Sequence, residues 1–263
     1  NTLDEVTPGA TGLVVDDLSF GYGVYKTKVD LNNPASLLVA GKKFTAMRAS
    51  ANMIGFVGLP ENLTFKIKDV DVYVNDADDD LFTADFSKSG PDRKGMPIAT
   101  GDPNRPMIID MNERVISASI GWAKLSVMNV LSVEGGLTFQ KRRIDDARVV
   151  LGGVRVPLVG IDAIVLGGRN ISAFAGIHGP YLTDSDEDGS LEDEKPNKDA
   201  IGFAIADVDF GLVYAQPQIA GKTMSMFHFL GITLSSKYIG LVGTEPYVTL
   251  NAQDVVFSLN GEI

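Results

Sequence analysis

The 263-residue chain has no cysteine, two histidines and one tryptophan. Lack of cysteine excludes disulfide frameworks, thiolate metal sites and thiol nucleophiles. Basic charge is also scarce, with 23 Lys and Arg against 34 Asp and Glu, a net −11. Nucleic-acid binders show the opposite balance because phosphate neutralisation supplies most of their affinity, so that class is set aside. No apolar run approaches the ~18 residues of a membrane helix, and no signal-peptide pattern opens the chain at Asn1. Helical spacing is nearly absent. Residues 33–43 alone read as one short helix, with Asn33 as cap and Pro34 in its first turn.

What the chain does have is period-2 alternation. Ile116, Ala118, Ile120 and Trp122 alternate with polar or small residues, as do Leu125 and Val127, and then Leu131, Val133, Leu137 and Phe139. Val154, Val156 and Leu158 follow the same pattern, and so do Ile171, Ala173, Ala175 and Ile177. Such alternation, rich in β-branched residues and broken by glycine, predicts half-buried strands and an all-β chain.

An internal repeat organises these strands. Residues 12–25 align without gaps on 202–215, and 54–75 on 239–260, with 12 identities in 36 positions. The two blocks keep their order, and the segment between them is five residues shorter in the second copy. Both copies shift phase by one residue. Leu13 and Val15 give way to Leu18, Phe20 and Tyr22, while Leu63, Phe65 and Ile67 give way to Val70, Val72 and Val74. A slip of one residue sends every apolar side chain to the wrong face unless the backbone bulges or turns a corner. An aspartate marks each slip: Asp17, Asp69, Asp207 and Asp254. The expected role of each is to cap backbone N–H groups freed by the bulge, with calcium ligation as the alternative.

The organisation read from this is a half A over residues 1–80, a β-rich half B over 81–183, an acidic loop over 184–199, and a second copy of A over 200–263. The second copy stops at Leu259-Asn260-Gly261, where the first runs on into B, so the pattern predicts another B half next. Tandem modules of this kind suit long, extended proteins. The expected fold is an elongated all-β repeat, a β-solenoid-like stack in which each slip is a corner. A curved antiparallel β-sandwich with long bulged strands is the alternative.

The negative charge is concentrated in two places. Residues 184–199 hold eight acids and two lysines, a net −6, and residues 76–85 hold five aspartates and no base. These account for the whole −11. The first contains Asp184-Ser185-Asp186-Glu187-Asp188-Gly189-Ser190, the alternating aspartates and turn glycine that open a calcium loop. Lys195 stands where an EF-hand has its closing glutamate, and no helices flank the run, so the expectation is a free-standing Ca2+ loop. Its ligands are Asp184, Asp186 and Asp188, assisted by the Ser190 carbonyl and by Glu192 or Glu194. The run from Asp76 to Asp85 lacks that spacing.

The strings Asp207-Val208-Asp209-Phe210-Gly211-Leu212, Val133-Glu134-Gly135-Gly136-Leu137-Thr138-Phe139, Ala173-Phe174-Ala175-Gly176 and Tyr181-Leu182-Thr183-Asp184 resemble the repeating β-rich modules of very large secreted bacterial surface proteins, the RTX-type and adhesin-like proteins. The resemblance implies export to the cell surface, calcium-dependent rigidity, and a spacer or surface-binding role. The glycine-rich nonapeptide calcium repeats of RTX proteins are missing here.

Enzyme chemistry finds little to work with. His178 and His228 have no recognisable serine nucleophile context, and no His pair has zinc spacing. Lys141-Arg142-Arg143 reads as a solvated strand end, and Trp122 as a core residue. Two non-enzymatic readings remain. One is a calcium-stiffened structural module that joins neighbouring copies end to end. The other is a module that binds a surface glycan or protein through loops of half B.

Overall fold

A computed structural model of the chain describes residues 7, 9–60, 62–78, 82–144, 147–151, 153–157, 160–186, 190–191, 193–219, 222–223 and 228–262. Its strands are β1 (Gly12–Asp16), β2 (Ser19–Lys26), β3 (Lys43–Val57), β4 (Leu63–Ala77), β5 (Met96–Ile98), β6 (Met107–Ile109), β7 (Val115–Val127) and β8 (Leu131–Ile144). They continue with β9 (Arg148–Leu151), β10 (Val154–Pro157), β11 (Ile161–Ile177), β12 (Ile201–Ile219), β13 (Lys222–Thr223), β14 (Phe229–Val242) and β15 (Asn251–Glu262). The expected short helix is a 3-10 turn over Pro34–Val39, where the Asn33 side chain accepts from the Ala35 amide at 3.2 Å.

The chain is all-β, and its main body is one antiparallel sheet. β1 and β2 lie end to end along β3, and the order then runs β4, β7, β8, β11, β12, β14, β15. β13 pairs antiparallel with the end of β12, while β5–β6 and β9–β10 form separate hairpins. Main-sheet strands therefore neighbour their nearest main-sheet predecessors in the chain, as a meander does. The expected solenoid stack is not found among the described residues. The reason is local: the slips at Asp69, Asp207 and Asp254 fall inside the long strands β4, β12 and β15, and the one at Asp17 falls between β1 and β2, which both run along the unbroken β3 without a corner.

Each slip aspartate holds a left-handed backbone in mid-sheet, with φ of 48° at Asp17, 53° at Asp69, 52° at Asp207 and 51° at Asp254. Asn170 on β11 does the same at φ 50°. Asparagine and aspartate tolerate this region because their short polar side chains interact locally. Between them, β7 and β11 each bulge by one residue against β8. Gly135, at φ 140°, sits there with room for no side chain, since a Cβ would meet the Ile171 Cα at 2.8 Å. A crease thus crosses the sheet. The expected capping of backbone N–H groups is not what the aspartates do. The Asp17 carboxylate accepts from the Asn52 side chain at 3.3 Å, and Asp207 pairs with Lys237 at 2.6 Å. Among the described residues, Asp69 and Asp254 show no such bond, so backbone conformation is what the four positions share.

The two aligned blocks pair alike. Gly12 faces Val57 as Gly202 faces Val242, and Ile54 faces Ile67 as Ile239 faces Ala252. Strands β1/β2–β3–β4 and β12–β14–β15 are thus three-stranded units of one register at the two ends of the sheet.

Directly paired residues share a face. On the β2 side of the crease, the row from Phe20 through Val72 and Phe139 to Leu212 and Leu259 is apolar at every paired position across the sheet. On the β1 side, Leu13, Phe56, Phe65, Leu125 and Val133 begin a second such row. The opposite faces carry the small buried clusters. One is Phe174, Ala200, Ala204 and Val242; the other is Ala46, Phe86 and Ile109, under the segment between β4 and β7. Asn75, fully buried, ties that segment down by donating to the carbonyls of Ala84 at 2.8 Å and Glu113 at 2.9 Å. The chain exposes 16,395 Å². A compact globule of 28.1 kDa would expose roughly 11,100 Å². The surplus belongs to an open sheet with large uncovered faces.

Candidate metal centre

The acidic segment between β11 and β12 folds back onto the sheet. Asn197 is its clasp: its side chain donates to the carbonyls of His178 at 2.8 Å and Pro180 at 3.1 Å, and its amide to the Tyr181 carbonyl at 2.8 Å. The Tyr181 ring stacks at 5.8 Å on Tyr238 of β14, and Leu191 is buried. Apolar anchors therefore hold a −6 segment against the protein instead of leaving it extended in solvent.

At the centre of this contact, β8 supplies Glu134, which is buried. Its carboxylate accepts from the Asp184 amide at 3.0 Å and the Thr183 hydroxyl at 3.3 Å, and it pairs with Lys124 of β7 at 3.2 Å. Burial pushes the Glu134 carboxyl above the ordinary glutamate range; the Lys124 ammonium and the hydrogen bonds oppose that shift. Glu134 was invisible to motif reasoning because it lies 50 residues before Asp184. In Val133-Glu134-Gly135-Gly136 it takes the polar phase beside Val133, so the alternation reads it as solvent-facing and gives no signal of its burial.

Glu134 sets the start of the loop so that Asp184, Asp186 and Glu194 converge, with one oxygen of each within 4.8 Å of the others. Asp184 is buried. The Ser185 amide and hydroxyl both donate to the Glu194 carboxylate, the hydroxyl at 2.6 Å, and hold the Glu194 carboxyl below the ordinary range. Oxygens that bind one Ca2+ at about 2.3–2.6 Å lie no more than about 5 Å apart, so the three carboxylates fit a single hard cation. Magnesium and calcium both take such oxygens, and the irregular, loop-borne set suits the flexible geometry of calcium. Of the residues expected from sequence, Asp184, Asp186 and Glu194 come together. Ser190 is described and half-buried, whereas Asp188 and Glu192 lie outside the described residues.

The second acidic run forms no such cluster among the described residues. Asp76 pairs with Arg114 at 2.6 Å, and Asp85 accepts from the Ser87 amide at 3.0 Å, closing a turn. Asp79 and Asp80 lie outside the described residues. The basic triplet at the end of β8 is partly neutralised, Arg142 meeting Glu113 at 3.0 Å beside Asp76 and Asp162. Trp122 is buried, with the ammonium groups of Lys68 and Lys124 at 5.7 and 6.0 Å from its ring. The His178 carbonyl serves the Asn197 clasp, and the His228 ring nitrogen lies 3.1 Å from the Gln216 amide and beside the Tyr214 hydroxyl. No described helix is long and apolar enough to cross a membrane.

Comparison with known proteins finds no matching family model, no matching curated protein and no matching solved structure.

Proposed function

We propose that this chain is a non-enzymatic structural module of an extracellular surface or filament protein, stiffened by Ca2+ and joined end to end to copies or neighbouring modules. The observation that carries the reading is the sheet itself. The same three-stranded unit occurs at both ends in one register, and among the described residues the outer sides of β1/β2 and of β15 pair with no further strand. Edge strands template pairing with another chain. A head-to-tail pairing of the two different edges is heterologous, so it extends into a filament unless it closes into a ring. The β15 edge corresponds to the β4 edge that β7 occupies, which makes a β7-like strand the fitting neighbour.

Calcium acts on this architecture through the loop at Asp184. Asp184, Asp186 and Glu194 would hold the ion, and their mutual repulsion, which loosens the clasp, would be replaced by attraction to a divalent charge. The loop joins β11 to β12, so an ion there fixes the junction between half B and the second copy of A. Extracellular calcium modules bind with Kd of about 0.1–1 mM, matched to calcium outside cells. Titration calorimetry should give saturable heat with the intact chain and none with Asp186→Ala. Sedimentation should show assembly that grows with calcium. Absence of heat at about 10 mM calcium removes the metal, and a species whose size is fixed with and without calcium removes the end-to-end reading.

A further inference from the structure

The apolar face on the β2 side of the crease has no place in that reading. It spans the sheet from β2 to β15, and its large side chains are open to solvent: Phe20 is 63% exposed, Tyr22 56%, Phe139 37% and Phe257 51%. Across eight strand spacings of about 4.8 Å the face is about 38 Å wide. From the Leu18 row through the Tyr22 row it is about 17 Å tall at about 3.3 Å per residue, since the next row, from Val24 to Thr45 and Asp76, is polar. That is about 600–650 Å². Single exposed apolar patches on monomers reach about 300–600 Å².

We infer that this face is an isologous interface, on which the same face of a second copy of this chain packs as the other layer of a β-sandwich. Two copies would bury about 1,200–1,300 Å² in total, at the lower end of the range of standard stable interfaces. The chemistry also fits a sheet partner. The Leu18 and Phe20 rows carry no charge and the Tyr22 row carries one, Lys141 of β8; Asp17 and Asp207 bound the face at the crease, and Asp76 stands one row beyond Tyr22. Two such faces meet about 10 Å apart with side chains interdigitated. A lipid surface is the poorer occupant. The apolar height is short of the ~25 Å band of a membrane strand, and β2 and β15 leave open edges that hydrocarbon cannot satisfy.

The contact differs in kind from edge pairing, because it closes at two copies and needs no calcium. Sedimentation velocity of the chain with a calcium chelator present should show a dimer from low micromolar concentration. Leu166→Lys and Phe139→Glu, in the middle of the face, should return it to monomer with an unchanged far-UV spectrum, while Leu131→Lys on the other apolar row leaves the dimer intact. Should either charged variant fail to fold, a nitroxide at Leu166→Cys, the only thiol in the chain, reads the same contact in the otherwise unaltered protein. Strong spin–spin broadening, lost on dilution with unlabelled chain, is expected. A monomer at 100 μM, a dimer that survives both charged variants, or no broadening at Leu166 overturns the inference. Binding to neutral lipid vesicles that Leu166→Lys abolishes, without any dimer, would assign the face to lipid instead. Failure of calcium-dependent assembly leaves this dimer untouched, so the two readings fail separately.

Discussion

The crease offers the sharpest test of how this sequence bends its sheet. Asp17, Asp69, Asp207 and Asp254 share φ near +50°, yet Asp69 and Asp254 have no hydrogen-bond or ion-pair partner among the described residues. If backbone conformation is what aspartate supplies, glycine should replace it and alanine should not. A left-handed residue with a Cβ costs about 1–2 kcal/mol, relieved for Asp and Asn by their local side-chain interactions. Asp69→Ala should therefore destabilise by about 1 kcal/mol and Asp69→Val by about 2 kcal/mol, while Asp69→Gly and Asp69→Asn stay within about 0.5 kcal/mol. At Asp207 the pair with Lys237 adds a share of about 0.2–1 kcal/mol to every substitution that removes the charge. Asp207 and Asp254 both flank Lys237 in register, so they couple, whereas Asp17 and Asp69 should add to them independently. The fourfold alanine variant should then lose about 4 kcal/mol, a large part of a typical 5–15 kcal/mol. Urea denaturation measures each step, and the fourfold variant should melt about 8–16 °C lower. Equal losses for glycine and alanine would refute the reasoning, because they would place the energy in the carboxylate and not in the backbone.

Other expectations follow from single contacts. Asn75→Ala should cost about 2–3 kcal/mol, since it removes two hydrogen bonds donated by a fully buried side chain, and hydrogen exchange should rise in residues 82–114; unchanged exchange would mean that the segment is held elsewhere. Phe174→Ala should cost about 3–5 kcal/mol by emptying the cluster under the acidic loop, and calorimetry should show weaker calcium binding as the clasp loosens. Hydrogen bonds from the Ser87 side chain and amide hold the Asp85 carboxyl below the ordinary aspartate range. A folded value below the unfolded one gives stability that is present above the unfolded value and lost as pH falls through the folded one. Carboxyl NMR titration should find the low midpoint, moved upward in Ser87→Ala, and an ordinary midpoint in the parent would contradict it.

The sequence alone determined the strands and where they bend. Period-2 alternation carries the strand state because it reports which side chains face alike, and the aspartates at the slips mark the crease because few residues with a side chain tolerate left-handed backbone. It also determined Asp184 and Asp186, whose alternating spacing is a local signature of converging oxygens. Tertiary structure decided what local patterns do not encode. Alternation is blind to strand direction and order, so the same slips that suggested solenoid corners form one crease across the strands of a meander. Glu134 reaches Asp184 only because β8 and β11 pair, which brings residues 50 apart to 3.0 Å. Whether an apolar row is core or surface depends on what lies over it. Apolar residues of β2 and β15 such as Phe20 and Phe257 face solvent here, while Ala46 and Ala204 on the other face are buried, because described segments between the strands pack over that side.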